Sequence, residues 1–180
     1  MQKYLNLCCG NNPVPSTDEV EMVNVDIAID NPLITKFDVT VTPYPLQDLE
    51  FDRIYMFHAI EHIPEELHGT LLKEFRRILK DEGQLVFAYP EFSAVIKRWQ
   101  DAVGDDRDFW KHTIYGRGTT EWDRHKALMD TVDFAKYMSY FGWHMVGAAP
   151  EKGQEFNTVV VCMKAPFPLT YERLLEKEFA

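Results

Sequence analysis

The sequence predicts an α/β fold, with a mostly parallel sheet that ends in an antiparallel hairpin. Three observations predict it. Over residues 2–90, short apolar runs of strand length alternate with a turn, a connector and one long helical pattern, as in sheets built from crossovers. The run Tyr4-Leu5-Asn6-Leu7-Cys8-Cys9-Gly10 stops at a small-residue turn, and the next, Met22 to Val25, stops on Asp26. The last two runs, His144 to Ala148 and Phe156 to Lys164, are joined through Glu151-Lys152-Gly153, which makes them an antiparallel pair on an otherwise parallel sheet.

Taken in order, residues 2–7 form the first strand and 8–20 a turn and loop. Gly10, Asn11, Asn12, Pro13, Pro15 and Ser16 leave no room there for a long first helix. Residues 22–25 are the second strand, Lys36 to Thr40 a short third one containing Asp38, and Thr42 to Leu49 a connector with Pro43 and Pro45. Asp52 to Phe57 reads as a central strand covered on both faces. Pro64, followed by Glu65 and Glu66, opens a helix. Its apolar side is Leu67, Leu71, Leu72, Phe75, Ile78 and Leu79, with Lys80 ending the pattern and Gly83 as the stop.

Gln84 to Tyr89 is the next strand, broken by Pro90, and Phe92 to Trp99 gives one or two helical turns. Residues 101–124, with Asp105, Asp106, Asp108, Trp110, Tyr115, Gly116, Gly118 and Trp122, read as an irregular lid or binding loop. A helix is expected from about Lys126 to Phe141, stopped by Gly142. Thr170 to Phe179 reads as a short amphipathic helix. The expected organisation is one domain over 1–165, with a lid at about 101–124 and a C-terminal tail over 166–180.

Charge narrows the function. With 29 acidic against 19 basic residues the net charge is -10, and no basic stripe offers a track for nucleic acid or anionic lipid. A small-molecule partner is expected, nucleic acid and membrane are not, and the oligomeric state stays open. Cys8, Cys9 and Cys162 form no secreted disulfide framework and read as buried thiols. No signal peptide is recognisable and no run approaches membrane-spanning length, so the expected location is cytoplasmic.

Four places carry candidate chemistry. A strand ending in a glycine turn exposes backbone N–H groups, and Asp26 at the end of the next strand suits a pair of ribose hydroxyls. Two roles fit Asp38, accepting from a purine amine or capping the connector at Thr40. Phe57-His58-Ala59-Ile60-Glu61-His62-Ile63-Pro64 follows the central strand, where ligand crevices of open sheets lie. A histidine there suits a general base, and His62 or Glu61 equally suits capping the helix from Pro64. His58 and His62 lack the His-Glu-x-x-His order, and Pro64 opposes a helix through both, so no metal site is expected. Fourth, Tyr115, Trp122, Asp123, Arg124 and His125 suit a closing lid, or Trp110 and Trp122 simply cover the sheet edge.

With these residues in view, the sequence resembles the class I S-adenosylmethionine-dependent methyltransferases, in particular a small subgroup opening with Leu-Asn-Leu-Gly-Cys-Gly and carrying Glu-His-Ile/Leu. The matching stretches are Leu5-Asn6-Leu7-Cys8-Cys9-Gly10, Val23-Asn24-Val25-Asp26, Phe51-Asp52-Arg53-Ile54-Tyr55, Ala59-Ile60-Glu61-His62-Ile63 and Glu74 to Leu85, followed late by Phe141-Gly142-Trp143. The resemblance implies a Rossmann-like three-layer sandwich, here with a shortened first helix. It implies that Leu7, Cys8, Cys9 and Gly10 contact the methionine moiety of S-adenosylmethionine, Asp26 the ribose and Asp38 the adenine amine. Phe57 and His58 would line the cofactor. Cys8 stands where the family has its first glycine, and Asn12 replaces the last small residue.

The implied reaction moves a methyl group to an oxygen or nitrogen of a small-molecule acceptor and leaves S-adenosylhomocysteine. His58 or His62 is the expected base and His125 the reserve. The alternative is a non-catalytic binding or scaffold protein that retains the fold. An NAD enzyme fits less well, because Gly-x-Gly-x-x-Gly and its helix are missing.

Overall fold

The computed structural model describes residues 1–165. The expected amphipathic helix at Thr170 to Phe179, and with it the tail over 166–180, lies outside the described residues. Strands β1 (Gln2–Leu7), β2 (Val20–Val25), β3 (Ile34–Thr35), β4 (Phe51–Phe57), β5 (Leu79–Pro90), β6 (Trp143–Glu151) and β7 (Gln154–Lys164) form one seven-stranded sheet in the order β3-β2-β1-β4-β5-β7-β6. The pairs from β3 through β5 are parallel, and β7 runs antiparallel to both β5 and β6. The strand order reverses between β1 and β4, which opens a crevice at their carboxyl ends.

No helix fills the β1–β2 crossover, where the sequence predicts a shortened one. The loop instead lies against β2 through side chains. Asn24, almost fully buried, accepts from the Val14 N–H (2.9 Å) and donates to the Val14 carbonyl (2.9 Å), and Ser16 Oγ accepts from the Met22 N–H (2.9 Å). These bonds satisfy the main chain at Val14 and Met22, between and beyond the two prolines that keep the crossover from forming a helix. They also leave Tyr4, Asn6, Met22, Tyr55 and Phe57 lining a cavity of about 750 Å³ on that face.

Helix α1 (Glu65–Ile78) starts directly after Pro64, as the acidic first turn predicts, and buries Leu71, Leu72, Phe75 and Ile78. It ends earlier than its apolar spacing suggests. Leu79 already belongs to β5, and Gly83 is a strand residue rather than a helix stop. The register between β4 and β5 shifts at Phe51/Arg53 to absorb the extra residues.

Helix α2 (Phe92–Asp101) follows β5, and helix α3 (Asp105–Tyr115) corrects the expectation that 101–124 is irregular. Only the stretch around the short 3₁₀ turn Glu121–Asp123 matches that reading. Helix α4 (Thr131–Tyr140) starts five residues later than expected, where the Asp130 side chain accepts from the Val132 N–H. Residues 34–35, not 36–40, form the third strand.

The core joins α1 and α4 to one sheet face. Phe87 on β5 packs against Phe75 and Phe134 at ring separations of 6.5 and 5.2 Å. Trp143 at the start of β6 is buried and donates from Nε1 to the Leu72 carbonyl at 3.3 Å. Among the described residues no helix is long and apolar enough to cross a membrane.

Candidate functional site

The carboxyl ends of β1, β2 and β4 enclose a cavity of about 310 Å³. Its wall carries Cys8, Gly10, Asp26, Asp38, His58 and His62, with Ile27, Ile29, Phe37, Val39 and Ile63 supplying apolar surface and Trp122 and Lys126 the rim. Volume and lining suit a small-molecule site, apolar with a few polar groups converging on it.

Each wall residue arrives by a local backbone rule. After β1 the chain turns through Cys8 and Gly10, both at φ 54°. This left-handed region costs a glycine little and a cysteine more, so Cys8 holds a strained position. The turn closes with the Cys9 N–H donating to the Val25 carbonyl (3.1 Å) and the Gly10 N–H to Asp26 Oδ2 (2.9 Å). A Cβ added at Gly10 would meet no atom within 4 Å, so the space above this turn is open to a ligand. Burial, with the nearby Asp26 charge, pushes the Cys8 thiol up to about 12, so it stays protonated near neutral pH.

Asp26 is the hinge of the two turns. Besides Gly10 it accepts from the Ala28 and Ile29 N–H groups through Oδ1 at 2.8 and 3.3 Å. A carboxylate has about four lone-pair positions. Three are in use, so two sugar hydroxyls can be received together only if the long Ile29 bond is given up. Asp38 Oδ1 accepts from the Thr40 N–H (2.8 Å) and hydroxyl (2.7 Å), the capping role the sequence allowed. Its carboxylate also lines the cavity, so capping leaves the second role available.

His58, directly after β4, also has positive φ (50°), and its N–H donates to the Ala88 carbonyl at 2.8 Å. That posture swings the ring over the sheet edge. Glu61 Oε1 lies 3.8 Å from Nδ1 and Glu151 Oε2 3.1 Å from Nε2. The Glu61 carboxylate above all, helped by Glu151, raises the proton affinity of His58 against the opposing effect of burial. His62 and His125 meet edge to face, with centroids 4.7 Å apart. His62 Nδ1 is 3.2 Å from the Arg124 carbonyl, and burial lowers the proton affinity of His125.

The structure therefore brings Cys8, Gly10, Asp26, Asp38, His58 and His62 to one cavity. Leu7 is fully buried in the core, and only its main chain reaches the turn. Cys9 is buried with Sγ 3.7 Å from the Gly10 carbonyl, and it and Phe57 line the cavity on the other sheet face. His125 reaches the site edge from just past the 101–124 stretch and lines two neighbouring cavities, of about 10 and 410 Å³.

Sequence reasoning missed two participants. Glu61 read as a cap, yet it is 2% exposed and sits between His58 and the His62–His125 pair. Glu151 read as a turn residue, yet it reaches His58 from the β6–β7 hairpin. A glutamate inside an otherwise apolar post-strand segment was the one available signal for the first. Nothing local marked the second.

Comparisons with known proteins agree on the architecture. A family profile described as "Methyltransferase domain" matches residues 15–87. Among solved structures, an S-adenosylmethionine-dependent methyltransferase from Methanosarcina mazei superposes with a TM-score of 0.63 at 12% identity, covering 91% of this chain and 92% of that one. One from Clostridium acetobutylicum gives 0.61 at 12% identity, over 91% and 84%. The structure of DhpI in complex with SAH gives 0.60 at 13% identity, over 92% and 78%. No curated protein sequence matches the chain. The strand order with its reversed seventh strand, and these superpositions, show that the chain has the class I S-adenosylmethionine-dependent methyltransferase fold.

Proposed function

We propose that this protein transfers a methyl group from S-adenosylmethionine to an oxygen or nitrogen of a small-molecule acceptor. The observation that carries the reading is the joint placement of the Cys8–Gly10 turn, Asp26 and Asp38 around one apolar cavity at the strand-order reversal. The residues present fit the cofactor. The open space over Gly10 admits a chain, Asp26 offers acceptors to a diol, and Asp38 offers one to an exocyclic amine across a wall of Phe37, Val39 and Ile63. S-adenosylmethionine, when bound, supplies an electrophilic methyl group on a sulfonium. The sequence likeness to the subgroup with Glu-His-Ile after the fourth strand, carried here by Glu61-His62-Ile63, supports the same reading, as does SAH in the structurally similar DhpI complex.

This chain's own part is to bind, orient and deprotonate. Asp26 and the turn it anchors position the sugar end, and Trp122 and Lys126 on the rim restrict water. Of the three candidate histidines we assign the base to His58. It lines the cavity; its Nε2–H donates to Glu151 Oε2, so Nδ1 carries the lone pair that takes the acceptor's proton, and the Glu61 and Glu151 carboxylates favour the imidazolium that forms. His62 and His125 instead turn toward each other, and His62 toward the Arg124 carbonyl.

The test is a screen of hydroxylated and amine-bearing small molecules with S-adenosylmethionine, reading S-adenosylhomocysteine formation. Turnover with a subset of acceptors, reduced by about a hundredfold or more in His58→Ala, is expected from the usual size of general-base contributions. Full activity in His58→Ala would remove His58 from the role. No binding of the cofactor by the folded protein would favour the scaffold reading.

A further inference from the structure

Beside the proposed methyl-transfer cavity, three side chains from two separate stretches converge. One potential ligand atom each from Glu61, His62 and His125 lies within 4.8 Å of the others. Glu61 is 2% exposed, and its Oε2 is buried with no hydrogen-bond partner among the described residues. A carboxylate oxygen removed from water without a partner is costly, and this carboxylate lies beside two imidazoles.

His62 is oriented as a ligand, and the His125 ring packs edge to face against it. The Arg124 carbonyl is 3.2 Å from His62 Nδ1, so Nδ1 carries the hydrogen and Nε2 keeps a lone pair. Metal-binding histidines are commonly held this way, with the second nitrogen donated to a carbonyl and the tautomer thereby set.

The backbone beneath is clamped as well. The Glu61 carbonyl accepts from the N–H groups of Lys126 (2.7 Å) and Ala127 (3.1 Å), and the His125 N–H donates to the Tyr115 carbonyl (3.1 Å). A bridge between Gly116 and Arg124 ties the end of α3 to the same segment. The 3₁₀ turn Ile60–His62 and the segment before α4 are thus locked together at the point where the three side chains meet.

We propose that Glu61, His62 and His125 form a binding site for one divalent transition-metal cation of the zinc class. Two imidazoles and one carboxylate are the donor types such ions take, and three protein ligands leave a coordination position open. Ligand bonds of about 2.0–2.2 Å place tetrahedral donors roughly 3.4 Å apart, so rotations that draw the side chains in by about 1 Å close the set. The cation satisfies Glu61 Oε2. Because His62 also lines the crevice, the open position is directed at the acceptor side and can hold an acceptor oxygen. That last step alone rests on the methyl-transfer reading; the metal site does not.

The test needs neither cofactor nor substrate. The full-length protein is stripped with a chelator and titrated with Co²⁺ as an optically visible substitute for Zn²⁺, and with Zn²⁺ by calorimetry. One equivalent per chain, with the visible absorption of a four- or five-coordinate Co²⁺ centre and a metal-dependent rise in Tm, is expected. Glu61→Gln and His125→Asn, checked for native circular dichroism, are expected to weaken binding at least about tenfold. His112→Asn and His144→Asn, outside the cluster, are expected to leave it unchanged. The proposal is overturned if Co²⁺ does not saturate one site, or if one-equivalent binding persists undiminished in folded Glu61→Gln or His125→Asn. Failure here would leave cofactor binding by the crevice untouched, and the reverse also holds.

Discussion

Replacing Asp26 by alanine removes the one side chain among the described residues that ties the turn after β1 to the turn after β2. Its carboxylate accepts three backbone N–H bonds, from Gly10 at 2.9 Å, Ala28 at 2.8 Å and Ile29 at 3.3 Å. A hydrogen bond to a charged group contributes about 1.5–3 kcal/mol. The side chain is half-buried, and the Ala28 N–H, in an exposed loop, passes to water when the carboxylate is lost. Only the Gly10 bond joins separate elements, so the expected loss of folding stability is about 1–2 kcal/mol. The loss of cofactor affinity should be larger. Both the ribose acceptor and the posture of the Gly10 turn go, and each 1.4 kcal/mol is tenfold, so a weakening of about 10–100-fold is expected. Asp26→Asn, which keeps one acceptor oxygen, should fall between. Urea unfolding followed by tryptophan fluorescence reads the first quantity, and calorimetry with S-adenosylhomocysteine the second. A folded Asp26→Ala protein with unchanged unfolding midpoint and unchanged affinity would refute both the hinge and the ribose assignment.

Other predictions follow from buried groups. His68 is buried with Nε2 at 3.1 and 3.0 Å from the Ile60 and Ile63 carbonyls, which makes Nε2 the protonated nitrogen of a neutral ring. Burial lowers its folded-state pKa below the ordinary 6.5. The unfolded chain then binds the extra proton first, so this contribution to stability is complete above about pH 6.5 and declines as pH falls toward the lower folded value. Urea midpoints at pH 8 and pH 5.5 should show that slope, flattened in His68→Gln. Trp143→Ala empties a fully packed site and should cost about 3–5 kcal/mol in the same assay. A Cβ at Gly116 would lie 1.9 Å from the Asp123 carbonyl oxygen, at φ 75°. Gly116→Ala should open the bridge to Arg124 at a cost of about 1–3 kcal/mol, seen as roughly tenfold faster tryptic cleavage at Arg117 with the core melt unchanged.

Much of the sheet was legible because its strands are short apolar runs ended by turn residues, and Asp26, Gly10 and Pro64 carry their positions in their chemistry. The misplacements have physical causes. Helix α3 buries no side chain, so it has no apolar stripe to read. Its only signals were the aspartates of its first turn and the flanking Gly104 and Gly116. Leu128, at helical spacing from Ala135, reads as the first apolar position of α4, yet it is exposed in an extended segment whose neighbours Ala127 and Met129 are the buried ones, bonded to Glu61 and Glu91. Phe37 and Val39 alternate like a strand, yet Val39 is held by the Tyr44 hydroxyl donating to its carbonyl at 2.7 Å. Of the site, the residues close to the strand ends could be named. The partnership of Glu61 with His125, 64 residues later, depends on how the 116–127 segment folds back, and local sequence carries no trace of that.

Calorimetric titration of the purified protein with S-adenosylhomocysteine, and separately with S-adenosylmethionine, tests the central claim most directly. The crevice geometry predicts saturable binding of one equivalent per chain at micromolar affinity. Absence of binding to either ligand, by a protein shown to be folded, would contradict it.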